Sequence, residues 1–136
     1  MNASSDRGPR EAVSGRYHLP RSLRLREEVV VAFQEACRLR DRKAAAVLTV
    51  LLEEYLELGR LERVRLHGLM HGRIPTEPAK SGGGVAYSCR LPADLLERLE
   101  VQAEEEMRSP LNIIEWVMAF WSLPDGDGTL SSAVTP

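Results

Sequence analysis

The chain is short of almost everything that advertises an enzyme or a secreted protein. It has two cysteines in 136 residues, which is too few for a disulfide framework. Both Cys37 and Cys89 fall at apolar positions of the patterns described below, so they are expected to be buried thiols in a reducing compartment. No apolar stretch approaches the roughly 20 residues needed to cross a bilayer. Residues 1–20 are broken by Asp6, Arg7, Arg10, Glu11 and Arg16 and do not resemble a signal peptide. The expected location is cytoplasmic. The run Gly82–Gly84 lacks the Gly-Lys-Ser/Thr ending of a phosphate loop. No Ser/His/Asp or Cys/His set is suggested, and the reading is a non-enzyme without a cofactor. His67 and His71 stand at i, i+4, a spacing that puts two ligands on one helical face. No acidic or thiol pattern completes that site, so no metal is expected.

Net charge is also small, at -2, but it is unevenly spread. Residues 1–84 carry a net of +4 and residues 85–136 a net of -6. A basic partner face, if present, belongs to the first half.

What the chain does contain is the same plan twice. Ser22-Leu23-Arg24-Leu25 and Ser88-Cys89-Arg90-Leu91 are short alternating segments, the period of a half-buried strand. Each leads into an amphipathic helix. Val29, Val30, Phe33 and Cys37 form the first stripe, and Leu95, Leu96, Leu99 and Ala103 its counterpart. A polar break follows, Arg38 to Lys43 in the first half and Glu104 to Ser109 in the second. The second helices share one stripe: Val47, Leu48, Leu51, Leu52 and Tyr55 match Ile113, Ile114, Val117, Met118 and Trp121. Ser109-Pro110 is a strong helix start, because Ser caps well and Pro at the first helical position loses no hydrogen bond. A constant offset of 66 aligns the two halves without a gap.

These features predict five regions: an arm over 1–19, a strand–helix–helix unit over 20–58, a helical extension and Gly/Pro linker over 59–84, a second unit over 85–123 and a loose tail over 124–136. Leu61, Val64 and Met70 extend helix past Gly59. A unit of about 40 residues is too small to bury its own core. The two units therefore pair either with each other inside one chain or with their counterparts in a homodimer. The fold class is mainly α with a short β-ribbon.

The string Ala-Tyr-Ser-Cys-Arg-Leu-Pro at 86–92, followed by a helix and then Arg108-Ser109, resembles the ribbon-helix-helix (MetJ/Arc) DNA-binding superfamily. The first half resembles it less closely, with Arg26 in place of the proline. Two such units in one chain are similar to the TraY-type arrangement. The resemblance implies two tandem ribbon-helix-helix units and a double-stranded DNA partner. It implies base reading in the major groove by Ser22, Arg24, Ala86, Ser88 and Arg90, and phosphate binding by Arg42, Lys43, Arg108 and Ser109. The expected function is a transcriptional regulator, a repressor for instance, or a plasmid or phage accessory factor. Physical chemistry agrees, since a two-stranded ribbon fits the major groove and Arg can bond guanine O6 and N7 together.

The acidic second half motivates an alternative. In that reading the same fold regulates transcription by binding a protein, such as RNA polymerase, through Glu104, Glu105 and Glu106 or through a flank formed by Trp116 and Phe120. An antitoxin role through the C-terminal tail ranks third, since that tail is polar and poor in apolar anchors.

Overall fold

A computed structural model describes residues 18–70, 84–124, 126 and 128–130. Its elements run β1 (His18–Leu25), α1 (Glu27–Leu39), α2 (Ala44–Glu57), α3 (Arg60–Met70), β2 (Val85–Pro92), α4 (Ala93–Glu105) and α5 (Pro110–Ser122). The fold is mainly helical, with one two-stranded antiparallel sheet in which β1 pairs β2.

The halves follow the same backbone course. α1 and α4 each have 13 residues and start at Glu27 and Ala93, which are 66 positions apart. Both end in the same turn. Asp41 (φ 55°) and Met107 (φ 59°) adopt the left-handed conformation. Arg42 N donates to Cys37 O at 2.9 Å, and Arg108 N donates to Ala103 O at 3.0 Å. This is the closing bond of a Schellman turn, and it satisfies carbonyls left over at a helix end. Lys43 and Ser109 are then the N-caps of α2 and α5. The ribbon register places Ser22 directly opposite Ser88, so positions related by the offset meet at the centre of the sheet.

Neither half keeps its core to itself. α1 packs chiefly on α5, and α2 on α5 and α4, while contacts between helices of one half are sparser. One continuous cluster contains Phe33, Leu48, Tyr55, Leu95, Leu99 and Ile113. Each such side chain contributes about 1.5–3 kcal/mol when fully buried. The alternation of β2 is strict, with Tyr87, Cys89 and Leu91 buried and Ala86, Ser88 and Arg90 exposed. Both thiols are free and buried, and burial pushes each up from its ordinary value.

The difference between Arg26 and Pro92, at equivalent places, has a physical answer. Pro92 has no amide hydrogen to satisfy. Arg26 has one, and it donates to Glu115 Oε2 at 2.7 Å, with the Arg26 guanidinium Nε 3.6 Å from the other carboxylate oxygen. Burial raises the Glu115 carboxyl, and the Arg26 amide and charge pull part of the way back. The residue equivalent to Glu115 is Thr49, whose hydroxyl simply donates to Ala45 O in its own helix. Likewise Arg40, expected in a solvated break, closes the far end of α5. It donates to Trp121 O and Leu123 O and lies 4.5 Å over the Trp121 ring, which packs edge-on against Phe33.

The helix expected past Gly59 is present as α3; Leu66 and Met70 are its buried residues, while Leu61 and Val64 face solvent. This places Arg63 and His67 on a polar cluster. Two other expectations need correction. The segment after α5 is not loose where it is described: Leu130 is fully buried and its amide donates to Glu54 Oε1. A Cβ on Gly126 would meet Phe120 O at 2.0 Å, so the chain passes too close to α5 there for any side chain. Finally, α5 is buried on every side from Asn112 to Trp121, so Trp116 and Phe120 do not form a surface flank. Residues 1–17 of the arm expected over 1–19, the segment 71–83 (which includes His71), residues 125 and 127, and residues 131–136 lie outside the described residues; residues 18 and 19 belong to β1.

If Leu130 is a core residue, Leu130→Ala should lower unfolding stability by about 2–5 kcal/mol. Urea denaturation checks this, and a loss within about 0.5 kcal/mol, the level of a surface change, would restore the loose tail.

Candidate nucleic-acid interface

The ribbon has two chemically distinct faces. Its inner face, Leu25, Tyr87, Cys89 and Leu91, lies on the helices. Its outer face carries exposed Arg24 from β1 and exposed Ala86, Ser88 and Arg90 from β2. Ser22 occupies the register position opposite Ser88, Arg24 pairs with Ala86, and Arg90 pairs with Pro20. All five proposed base readers therefore come together on one short sheet. Arg24 and Arg90 sit on opposite strands, four register positions apart. At ~3.4 Å per residue this separates them by about 13–14 Å along the ribbon.

The four proposed phosphate binders are not alike. Arg42 and Lys43 are exposed at the start of α2, which has no side-chain cap. Its first amides are open to an anion. At the start of α5, Ser109 Oγ already accepts from Asn112 N at 3.1 Å, and Pro110 removes a donor. Arg108 is turned inward. Its Nη1 donates to Asn112 Oδ1 at 3.0 Å, its Nε lies 3.4 Å from Glu106 Oε1, and its guanidinium is 6.0 Å from the Trp116 ring centre.

Arg108 belongs to a polar cluster that the sequence did not reveal. At its centre is Glu106. One carboxylate oxygen accepts from Tyr55 Oη at 2.6 Å and the other from Gln102 Nε2 at 2.6 Å, while Arg63 Nε stands 3.1 Å away. Because the Tyr55 hydroxyl donates to Glu106, it must accept from His67 Nε2, 2.9 Å away. Arg108 Nη1 approaches His67 Nδ1 at 3.4 Å. This pattern assigns the proton of a neutral imidazole to Nε2. His67 packs edge-on to Trp116, with ring centres 4.4 Å apart.

The cluster perturbs its members in opposite senses. Burial alone would raise Glu106, but the neighbouring His67 imidazole, hydrogen bonds from Tyr55 and Gln102, and the Arg108 charge outweigh it and hold the carboxyl below 4.5. Burial, then the bond to Glu106, drives the Tyr55 phenol far above its usual range. Of the acidic trio suggested as a partner surface, Glu104 and Glu105 are exposed and Glu106 is drawn into this cluster. Among the described residues no group of three His, Cys, Asp or Glu could hold a metal ion, and no helix is long and apolar enough to cross a membrane.

Set against protein families, curated proteins and solved structures, the chain finds no match. The class that the fold itself defines is a mainly helical protein carrying a two-stranded antiparallel ribbon.

A carboxylate held below its unfolded value stabilises the fold above 4.5 and loses that contribution as pH falls through its folded value. Glu106→Gln should therefore cost about 1–3 kcal/mol at neutral pH. The gap between variant and parent should close in acid. Thermal melts across an acid series check this, and a gap independent of pH would mean that the Glu106 charge is not what holds the cluster.

Proposed function

We propose that the chain is a tandem ribbon-helix-helix regulator that binds double-stranded DNA and reads the major groove with its single ribbon. The observation that carries this reading is the ribbon's outer face. Two arginines on opposite strands are related about the Ser22–Ser88 pair, and an apolar inner face anchors both to a shared helical core. A twofold pattern of this kind matches the twofold symmetry of duplex DNA. The spacing of Arg24 and Arg90 is close to four base-pair steps at ~3.4 Å each. Each arginine can then take one guanine by its O6 and N7. The two units pair inside one chain, so one molecule supplies a whole ribbon.

Arg42 and Lys43 fix the module on the phosphate backbone next to the first unit. The second unit contributes less there, because Arg108 is already engaged. The sign of the charge split supports the same division, with the basic half leading and the acidic α4 turned to solvent through Glu97, Glu100, Glu104 and Glu105. The protein-partner alternative keeps that acidic surface but loses Trp116 and Phe120, which are 4% and 7% exposed.

Fluorescence anisotropy against random and host-derived duplexes, over a salt series, tests the proposal. Arg24→Ala and Arg90→Ala should each cost about 1–3 kcal/mol on the preferred sequence. No binding at low salt, or binding indifferent to both changes, would reject it. Removing Arg42 and Lys43 together should weaken all sequences alike and flatten the salt slope by about 0.9 per lost contact. Arg108→Ala should lower stability and leave the slope nearly unchanged.

A further inference from the structure

Among the described residues no element corresponding to α3 follows α5, and the placement of α3 creates something the ribbon does not use. That helix lies over the turn between α4 and α5 and forms with it a half-open cleft of ≈ 530 Å³. That volume is in the range of small-molecule sites. The wall is rich in cations: Arg60 and Arg63 from α3, with His67 beside them, and Arg108 from the turn. Two carboxylates, Glu105 and Glu106, also line it. Glu106 is saturated, however, by Tyr55, Gln102 and Arg63. The guanidinium of Arg60 is exposed and has no hydrogen bond or ion pair among the described residues. The buried Nε of Arg108 and the indole Nε1 of Trp116, behind His67, also lack hydrogen-bond partners. Val64 and Met107, 60% and 93% exposed, form an apolar rim on the same cleft.

The equivalence of the halves sharpens the point. The residue 66 positions before Arg108 is Arg42, which is exposed and has no such roof among the described residues. One arginine of the pair thus faces solvent, and the other lies under α3 in the wall of the cleft.

We propose that this cleft binds a small organic oxyanion, a carboxylate or a phosphate monoester, with its charged head on the Arg60 guanidinium and a short apolar body along Val64 and Met107. Arg63, which already donates to Leu58 O and faces Glu106, adds positive charge behind it. Guanidinium forks suit either head group by paired hydrogen bonds. The exposed Glu105 at the edge limits the ligand to one anionic end. The site stands apart from the outer face of the ribbon, so it holds whether or not the ribbon reads DNA.

Calorimetric titration of the full chain with butyrate and with n-butyl phosphate, at matched ionic strength, tests it. At least one should bind saturably at one site per chain, and the one that binds identifies the head group. Arg60→Ala, which disturbs no contact of the fold, should weaken binding about tenfold or more. Arg42→Ala should leave it unchanged. His67 ring resonances should move on titration and saturate with the same midpoint. The proposal is overturned by the absence of saturable heat for both anions up to about 10 mM, by an affinity that Arg60→Ala does not alter, or by an affinity lost with Arg42→Ala instead.

Discussion

The fold depends on the pairing of two strands that lie far apart in the sequence. β1 and β2 are each other's only ladder partners among the described residues, and each is too short to persist alone. A lone two-stranded hairpin is at best marginal in water. This one survives because its inner face is the lid of a helical core. That core in turn is closed only when α1 lies on α5 and α2 on α4. The ribbon and the crossed helices are one cooperative unit, and removing either exposes the other.

Within that unit the halves have kept their backbone and changed their chemistry. The left-handed positions, the helix lengths and the turn hydrogen bonds coincide at one offset. The residues that hang on this frame do not. Arg26 needs Glu115 where Pro92 needs nothing. Arg40 closes α5 over Trp121, while its equivalent, Glu106, receives the hydroxyl of Tyr55, the residue equivalent to Trp121. In each case the residue after the first helix reaches across to the end of the other half's second helix. The pairing is cationic at one end of the molecule and anionic at the other. The anionic end is the one α3 covers with Arg63 and His67.

Much of this was legible in the sequence, and the omissions have physical causes. The strands, the helices and the breaks could be read because each rests on a local period. The offset implied that an antiparallel ribbon of two equivalent strands is centred on one equivalent pair, but not that the pair is Ser22–Ser88. α5 was misread because stripe reasoning assumes a wet face. From Ile113 to Trp121 only Glu115 interrupts an apolar run, the mark of a helix buried all round. That glutamate is kept by Arg26, a partner 89 residues away that no local pattern reveals. In α3 two faces compete, and Leu61 and Val64 lost to Leu66 and Met70 because the latter face also carries Arg63 and His67 toward Glu106. Leu130 stands alone in a polar tail, and a single leucine has no period. Glu106 looked like one more charge in the acidic run Glu104 to Glu106 at a helix end.

Because both strands belong to one polypeptide, the assembly of the ribbon is intramolecular. A two-chain ribbon falls apart when its protein is diluted below the dimer dissociation constant. Here each strand sees its partner at an effective concentration set by the intervening chain and independent of expression level, typically about millimolar for short flexible connections. A cell holding a handful of copies would still hold complete ribbons.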